Sequence, residues 1–335
     1  FPYREEEVTY PNPDGGHTLA GTLTLPHGAG PFPAVLLIGG SGPTDRNASA
    51  YGHQPFFVLA DALTRRGIAV LRYDKRGIGR STGDLACATF TEFASDALAG
   101  VAYLKTRQEV DGKHIGLLGH SEGGVVAPLA ASRSREIAFI ILLAADGVPG
   151  ERLLATQAEL LARAMGSSAA AIAAQRQKQQ AIFTILKDEP EDAAAARRLR
   201  TLFSREFAML TEEQRRALGD ESRWLQQQIS FVVNPWMRMM LTYDPTPTLR
   251  QLTVPVLAVN GDRDLQVEAT ENLTPIAAAL LDSACPDVTV RRLPHLNHFL
   301  QTCATGSPTE YAQIEETVAP VVLRLVGDWI IEQVR

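Results

Sequence analysis

The sequence predicts an α/β protein with a mostly parallel central sheet, helices on both faces, an N-terminal antiparallel hairpin and a helical insertion. Three observations carry that expectation. Short apolar runs recur with helix-length stretches between them, the alternation that builds a doubly wound sheet. A turn-rich Asn12-Pro13-Asp14-Gly15-Gly16 separates two alternating stretches near the start. From about Pro149 to Arg250 the strand pattern stops, and it resumes afterwards.

Taken in order, Arg4 to Tyr10 and Thr18 to Leu25 form the hairpin at a sheet edge. Ala34-Val35-Leu36-Leu37-Ile38 is a continuous apolar run bounded by glycines, as expected of a strand buried on both faces. A helix from about Gln54 to Arg66 precedes the strand Ile68 to Tyr73. Another, from about Phe90 to Arg107, precedes the strand Ile115 to Leu118. Gly123 to Ala130 reads as a helix, and Ala138 to Leu143 as the next strand. The stretch that follows is rich in Ala, Gln, Glu and Arg with helical periodicity, as at Leu153, Leu154, Gln157, Leu160 and Leu161. Lys187 to Asp192 is a solvated turn between two of its helices. The final third supplies the strand Val254 to Val259, a helix near Thr274 to Leu281, the strand Val288 to Leu293 and a closing helix from Tyr311 to about Gln333. The expected division is a catalytic domain of residues 1–148 and 251–335 with a helical cap of residues 149–250. No internal repeat is present.

Composition narrows the function class. With 335 residues, 45% hydrophobic and 21% charged, the chain is an ordinary globular one with room for a large core. A net charge of −6 and a pI near 5.7 leave no basic footprint for nucleic acid. No apolar run is long enough to span a bilayer. The chain opens at Phe1, so no location is read from a leader. The three cysteines make neither a metal cluster nor a disulfide scaffold. Cys285 and Cys303 flank one strand, which leaves a single bridge and two reduced thiols equally open. Cys87 is expected to be structural.

The chemistry concentrates at Gly119-His120-Ser121-Glu122-Gly123, between a strand and a helix. G-x-S-x-G in that context is a nucleophile elbow, a tight turn that pushes the serine hydroxyl above the sheet. A nucleophilic serine needs a base and an acid that orients it, and these belong in loops beyond the strand ends. Asn260-Gly261-Asp262-Arg263-Asp264 and Pro294-His295-Leu296-Asn297-His298 are such loops, in the chain order Ser, Asp, His. Asp264 is favoured over Asp262 because Leu265-Gln266-Val267 lets its side chain turn back toward the histidine loop, whereas Asp262 caps the turn or pairs with Arg263. His298 is favoured over His295, which lies close to the strand end. His295 and His298 as a zinc pair lack a third ligand, so no metal is expected. His17, His27, His53 and His114 read as surface or core histidines, and His120 as a support of the turn.

Acyl transfer also needs donors for a tetrahedral oxyanion. Ile38-Gly39-Gly40-Ser41-Gly42 ends a central strand with exposed amides, so the N–H groups of Ser41 and Glu122 are the expected pair. The stretch lacks the phosphate-loop lysine, and Tyr73 to Ser81 lacks the dinucleotide pattern, which leaves it a charged structural loop. Asp45-Arg46 sits at the rim, for substrate or for an ion pair.

Together Gly119-His120-Ser121-Glu122-Gly123-Gly124, Gly40-Ser41-Gly42-Pro43-Thr44-Asp45-Arg46 and Asp74-Lys75-Arg76-Gly77-Ile78-Gly79-Arg80-Ser81 resemble the α/β-hydrolases, specifically bacterial carboxylesterases of the EstD type, grouped with prolyl-oligopeptidase-like and dienelactone-hydrolase-like enzymes. The resemblance covers nearly the whole chain. It implies a serine carboxylesterase acting on a small-molecule ester without a cofactor, with Ser121, Asp264 and His298 as triad. A peptidase or acyl-CoA thioesterase with the same triad is the alternative. The resemblance favours a periplasmic or secreted location, with the cytoplasm open. The departure lies at Gly39-Gly40-Ser41-Gly42, which replaces the lipase-type H-G-G-G. The cap would cover the nucleophile, and its end carries Trp224, Phe231, Trp236, Met237, Met239, Met240 and Tyr243. Packing onto the sheet accounts for most of these. Trp236 and Tyr243 are the expected substrate contacts.

Overall fold

A computed structural model describes residues Phe1–Arg335. The hairpin is β1 (Tyr3–Asn12) and β2 (His17–Pro26), antiparallel over their full length. Then come β3 (Phe32–Ile38), α1 (Pro55–Thr64), β4 (Ala69–Tyr73), α2 (Phe90–Lys105), β5 (Val110–His120), α3 (Gly123–Ala131) and β6 (Phe139–Leu143). After a helical stretch the sheet is completed by β7 (Val256–Gly261) and β8 (Val288–Leu293). The eight strands lie in the order β1-β2-β4-β3-β5-β6-β7-β8, and every pair from β4 to β8 is parallel. The expected fold class is borne out.

Why these runs become central strands is visible in their burial. Val35, Leu36 and Leu37 alternate between the two faces and are each almost fully inaccessible. One face is covered by α2, α3 and the helix Ala269–Leu281, through residues such as Phe93, Val126 and Ile276. The other is covered by α1 and the closing helix, through Phe56, Leu63 and Trp329. Both faces are thus apolar, as a parallel sheet requires. Register then brings the carboxyl ends into line, with Ile38 opposite Gly119, His120 opposite Leu143 and Gly261 opposite Leu293. The chain leaves β3 toward β4 on one side and reaches β5 on the other. The crevice of the sheet therefore opens where β3 and β5 end.

Residues 149–250 hold seven helices: α4 (Gly150–Ala164), α5 (Ala169–Asp188), α6 (Asp192–Met209), α7 (Glu212–Leu218), α8 (Glu221–Val232), α9 (Pro235–Thr242) and α10 (Thr246–Leu249). Helices α5, α6, α8 and α9 build a core of their own around Phe183, Leu199, Phe203 and Ile229. The two ends of the insertion meet where Gly150 N–H donates to Tyr243 C=O at 3.0 Å.

Two expectations need correction. The chain from Tyr311 to Gln333 is not one helix: Pro308–Gln313 is a 3-10 turn, and α12, after α11 (Ala269–Leu281), spans Pro320–Gln333. Pro320 lacks an N–H and is favoured in the first turn, where that donor is unpaired anyway, and the helix starts there. The cysteines are free, with Cys285 half-buried, Cys303 buried and Cys87 exposed rather than structural. Cys285 precedes β8 and Cys303 follows it, and six residues at ~3.3 Å each hold the two at opposite ends of the strand.

Candidate active site

Ser121 follows β5 with φ of +54°, a left-handed conformation that a non-glycine residue adopts only under constraint. The constraint is steric and local. A Cβ on Gly119 would lie 1.9 Å from the Gly123 carbonyl oxygen, and one on Gly123 would lie 2.1 Å from that of Ile38. Glycine at both places lets strand and helix approach closely enough for the turn. The Ser121 amide donates to Leu143 C=O at 2.9 Å, which anchors the turn on β6.

His298 and Asp264 are brought together from the loops after β8 and β7. His298 Nδ1 stands 2.8 Å from Asp264 Oδ2, with both side chains buried. The other carboxylate oxygen, Oδ1, accepts the amides of Gln266 at 2.8 Å and Val267 at 2.9 Å. Asp264 is therefore held rigidly, and its turn back toward the histidine is made by the residues that follow it. Asp262 does different work: its Oδ1 accepts the His295 amide at 2.6 Å and joins the two loops. Arg263 spends its guanidinium on the carbonyls of Cys303 and Ala304 rather than on Asp262. His295 is exposed. Ser121 and His298 line the same cavity with no hydrogen bond between them, a contact that commonly tightens only with substrate in place.

Two further ionisable groups press on His298. His120 Nε2 bonds the His298 carbonyl at 2.9 Å, and the two rings lie 4.9 Å apart. Burial, reinforced by His298, pushes the His120 pKa down to about 4, so it is neutral and donates. Asp146, in the loop after β6, is 6% exposed. Burial raises its pKa to about 7; His298 opposes the shift, while Glu122 and Asp264 add to it. Sequence reasoning missed Asp146, because nothing in Ala144-Ala145-Asp146 points to the site until β6 and β7 are paired.

The amides of Ser41 and Glu122 donate to no protein acceptor. Their segments share one tether that sequence reasoning also missed. Lys75 Nζ reaches Gly40 C=O at 2.8 Å and Glu122 Oε1 at 2.5 Å, and lies 4.1 Å from the centre of the Phe93 ring. The second Glu122 oxygen, Oε2, accepts from Trp236 Nε1 of α9. Lys75, Glu122 and Trp236 thus link the strand-end loop, the elbow and the insertion. The only signal in sequence was Lys75 inside the charged stretch that follows β4. Its neighbours are structural: Asp74 takes a two-pronged ion pair from Arg46, and Arg76 pairs with Asp96. Arg46 is thereby an ion-pair residue and not a rim contact.

Two cavities meet at Ser41. The first, of about 290 Å³, holds Ser121, His120 and His298 and is walled by Tyr51, Phe56 and Phe299. Those walls come from the loop after β3, from α1 and from the loop after β8. The insertion contributes Gln157 alone. The second, of about 500 Å³, runs from Ser41 and Gly42 past Lys75 and Phe93 to Trp236 and Phe231. Trp236 is thus beside the site. Tyr243 is not: its ring packs edge-on to Phe90 at 5.2 Å and its hydroxyl bonds Thr248, so it holds the base of the insertion. Trp224 likewise packs on aromatic rings, edge-on to Phe203 and tilted against Phe207, beside the helical core.

The chain resembles known esterases in sequence and in shape. Esterase EstD of Thermotoga maritima is 33% identical over 159 residues, which is 48% of this chain and 36% of that relative's length. Esterase FrsA of Yersinia pestis is 42% identical over 83 residues, 24% of this chain and 18% of its own length. The chain therefore matches well under half the length of either relative. Among solved structures, the Pyrococcus furiosus esterase Pf2001 superposes with a TM-score of 0.58 at 18% identity, covering 99% of this chain and 92% of that one. Ferulic-acid-bound Est1E from Butyrivibrio proteoclasticus gives 0.55 at 17% identity, covering 98% and 99%. At such identities the likeness carries the fold. The sequence pattern of one family extends over residues 53–302, about three quarters of the chain, and on that ground the protein belongs to the serine aminopeptidase S33 family of α/β-hydrolases.

Proposed function

We propose that this protein is a carboxylic ester hydrolase that works through an acyl-enzyme on Ser121. The observation that carries the proposal is the meeting, at one cavity, of a strained serine, a histidine bonded to a buried carboxylate and the unspent Ser41 amide, with the unspent Glu122 amide next to Ser121 in the chain. In the first step the Ser121 oxygen attacks the ester carbonyl while His298 Nε2 takes its proton. Asp264 keeps the imidazole in the tautomer whose Nε2 is free and stabilises the imidazolium. The Ser41 and Glu122 amides hold the negative oxygen. The C–O bond to the alcohol then breaks, and His298 returns the proton to the leaving oxygen. Water repeats the sequence on the acyl-enzyme, releases the carboxylic acid and restores Ser121.

The family takes its name from aminopeptidases, yet an ester suits this site better. A peptide's terminal ammonium needs an anion, and neither cavity presents an aspartate or glutamate. The esterase names of the sequence relatives point the same way. Residues 149–250 act as the lid, since α4 reaches the first cavity and α9 the second.

The decisive test is Ser121→Ala. It should abolish hydrolysis of p-nitrophenyl acetate with the circular dichroism spectrum unchanged, and a fluorophosphonate probe should label Ser121 in the unmodified protein. Full activity in the variant would overturn the assignment. Faster turnover of aminoacyl p-nitroanilides than of p-nitrophenyl esters would overturn the preference for esters.

A further inference from the structure

We infer that the second cavity is the acyl pocket and that it takes a planar, apolar acyl group such as an arenecarboxylate. The inference rests on the ester-hydrolase reading. His298 must hand a proton to the leaving oxygen, so the alcohol half of the ester lies on the imidazole side. The first cavity is on that side: His298, Phe299, Leu300 and Val318 all line it. The second cavity contains none of them and shares with the first only Ser41, whose amide bonds no protein acceptor. With the alcohol on the imidazole side, a carbonyl carbon held between Ser121 and Ser41 directs its acyl substituent toward the Ser41 side, where the second cavity lies.

The lining says what fits. Phe93, Trp236 and Phe231 offer aromatic surface and Met237 and Leu85 aliphatic surface, with Ser230 and Asn234 as neutral polar groups of the wall. Aromatic rings and a thioether favour another flat apolar group over a flexible chain. The volume of about 500 Å³ is within the range of pockets that enclose a small ligand. Lys75 is the single charge in the wall, and its ammonium is already engaged by Gly40, Glu122 and the Phe93 ring, so the pocket offers little to an acyl group that is itself charged.

The test fills each cavity from an exposed position and keeps the leaving group constant. Ala86 is exposed at the second cavity and Ser49 at the first, so Ala86→Trp and Ser49→Trp should both fold. The readout is kcat/KM for p-nitrophenyl benzoate divided by that for p-nitrophenyl acetate. Unmodified enzyme should prefer the benzoate, Ala86→Trp should lower the ratio at least tenfold, and Ser49→Trp should leave it within twofold. A ratio unmoved by Ala86→Trp, or moved instead by Ser49→Trp, would overturn the acyl-pocket assignment while leaving the ester hydrolase intact. Failure of the unmodified protein to hydrolyse either ester would overturn the parent reading, and the pocket assignment with it.

Discussion

At the scale of single residues, two buried acids lie near one imidazole and only one of them holds it. Asp264 is bonded to His298 Nδ1, whereas Asp146 makes no hydrogen bond to the ring and carries a pKa raised to about 7. Asp264→Asn should therefore favour the wrong tautomer and lower kcat on p-nitrophenyl acetate by roughly 10⁴-fold. Asp146→Asn should cost less than about tenfold, because it removes a neighbouring charge and not the orienting bond. Equal losses in the two variants would show that the acids share the role. The choice of Asp264 over Asp262 was legible locally, in the Leu265-Gln266-Val267 that turns the side chain back. The pressure of Asp146 was not, since it depends on the pairing of β6 with β7.

At the scale of elements, a charged loop, the elbow and helix α9 are joined through Lys75 and Glu122. Lys75 fixes the Gly40 carbonyl, and hence the peptide that carries the Ser41 amide, against the residue after the nucleophile. Lys75→Met should leave a buried carboxylate short of its partner and lower the unfolding free energy by about 3 kcal/mol. It should also lower kcat about tenfold with little change in KM, less than the roughly 10²–10³-fold loss of a deleted oxyanion donor. Adding Glu122→Gln removes the orphaned charge, so thermal stability should recover while kcat stays low. Recovery of both would mean that Lys75 serves stability alone. Nothing in the sequence singled out Lys75 from Asp74 and Arg76, because all three sit in one charged run and only the packing of β3, β5 and α2 around the end of β4 assigns their partners.

For the whole molecule, burying His120 and Asp146 beside His298 makes stability depend on pH in two opposed ways. His120 has an ordinary pKa of 6.5 and a folded one of about 4, so between those values the unfolded chain binds the extra proton. Its contribution to stability is complete above 6.5 and is lost as the pH falls through 4. Asp146 runs from 3.8 up to about 7, so its contribution is complete below 3.8 and is lost as the pH rises through 7. The rise in Tm produced by Asp146→Asn should accordingly grow between pH 4 and pH 8. His120→Gln should flatten the acid side of the profile between pH 6.5 and pH 4. A constant Tm offset across that range would show that neither group changes its proton affinity on folding.

The sequence alone determined the order of elements, the parallel sheet and the residues at its strand ends, because both kinds of information are local. Apolar runs such as Ala34 to Ile38, short and bounded by glycines, fit buried strands, and Gly119 and Gly123 permit a turn that other residues would block. Tertiary structure decided everything that depends on which surfaces meet. It placed the walls of the first cavity in α1 and the loops after β3 and β8, gave only the second cavity Phe231 and Trp236 from the insertion, and sent Tyr243 to Phe90. It also set Cys285 and Cys303 at opposite ends of β8. An aromatic side chain is equally apolar whether it packs in a core or lines a cavity, so composition does not separate the two. Only the docking of the helical insertion against the carboxyl edge of the sheet does.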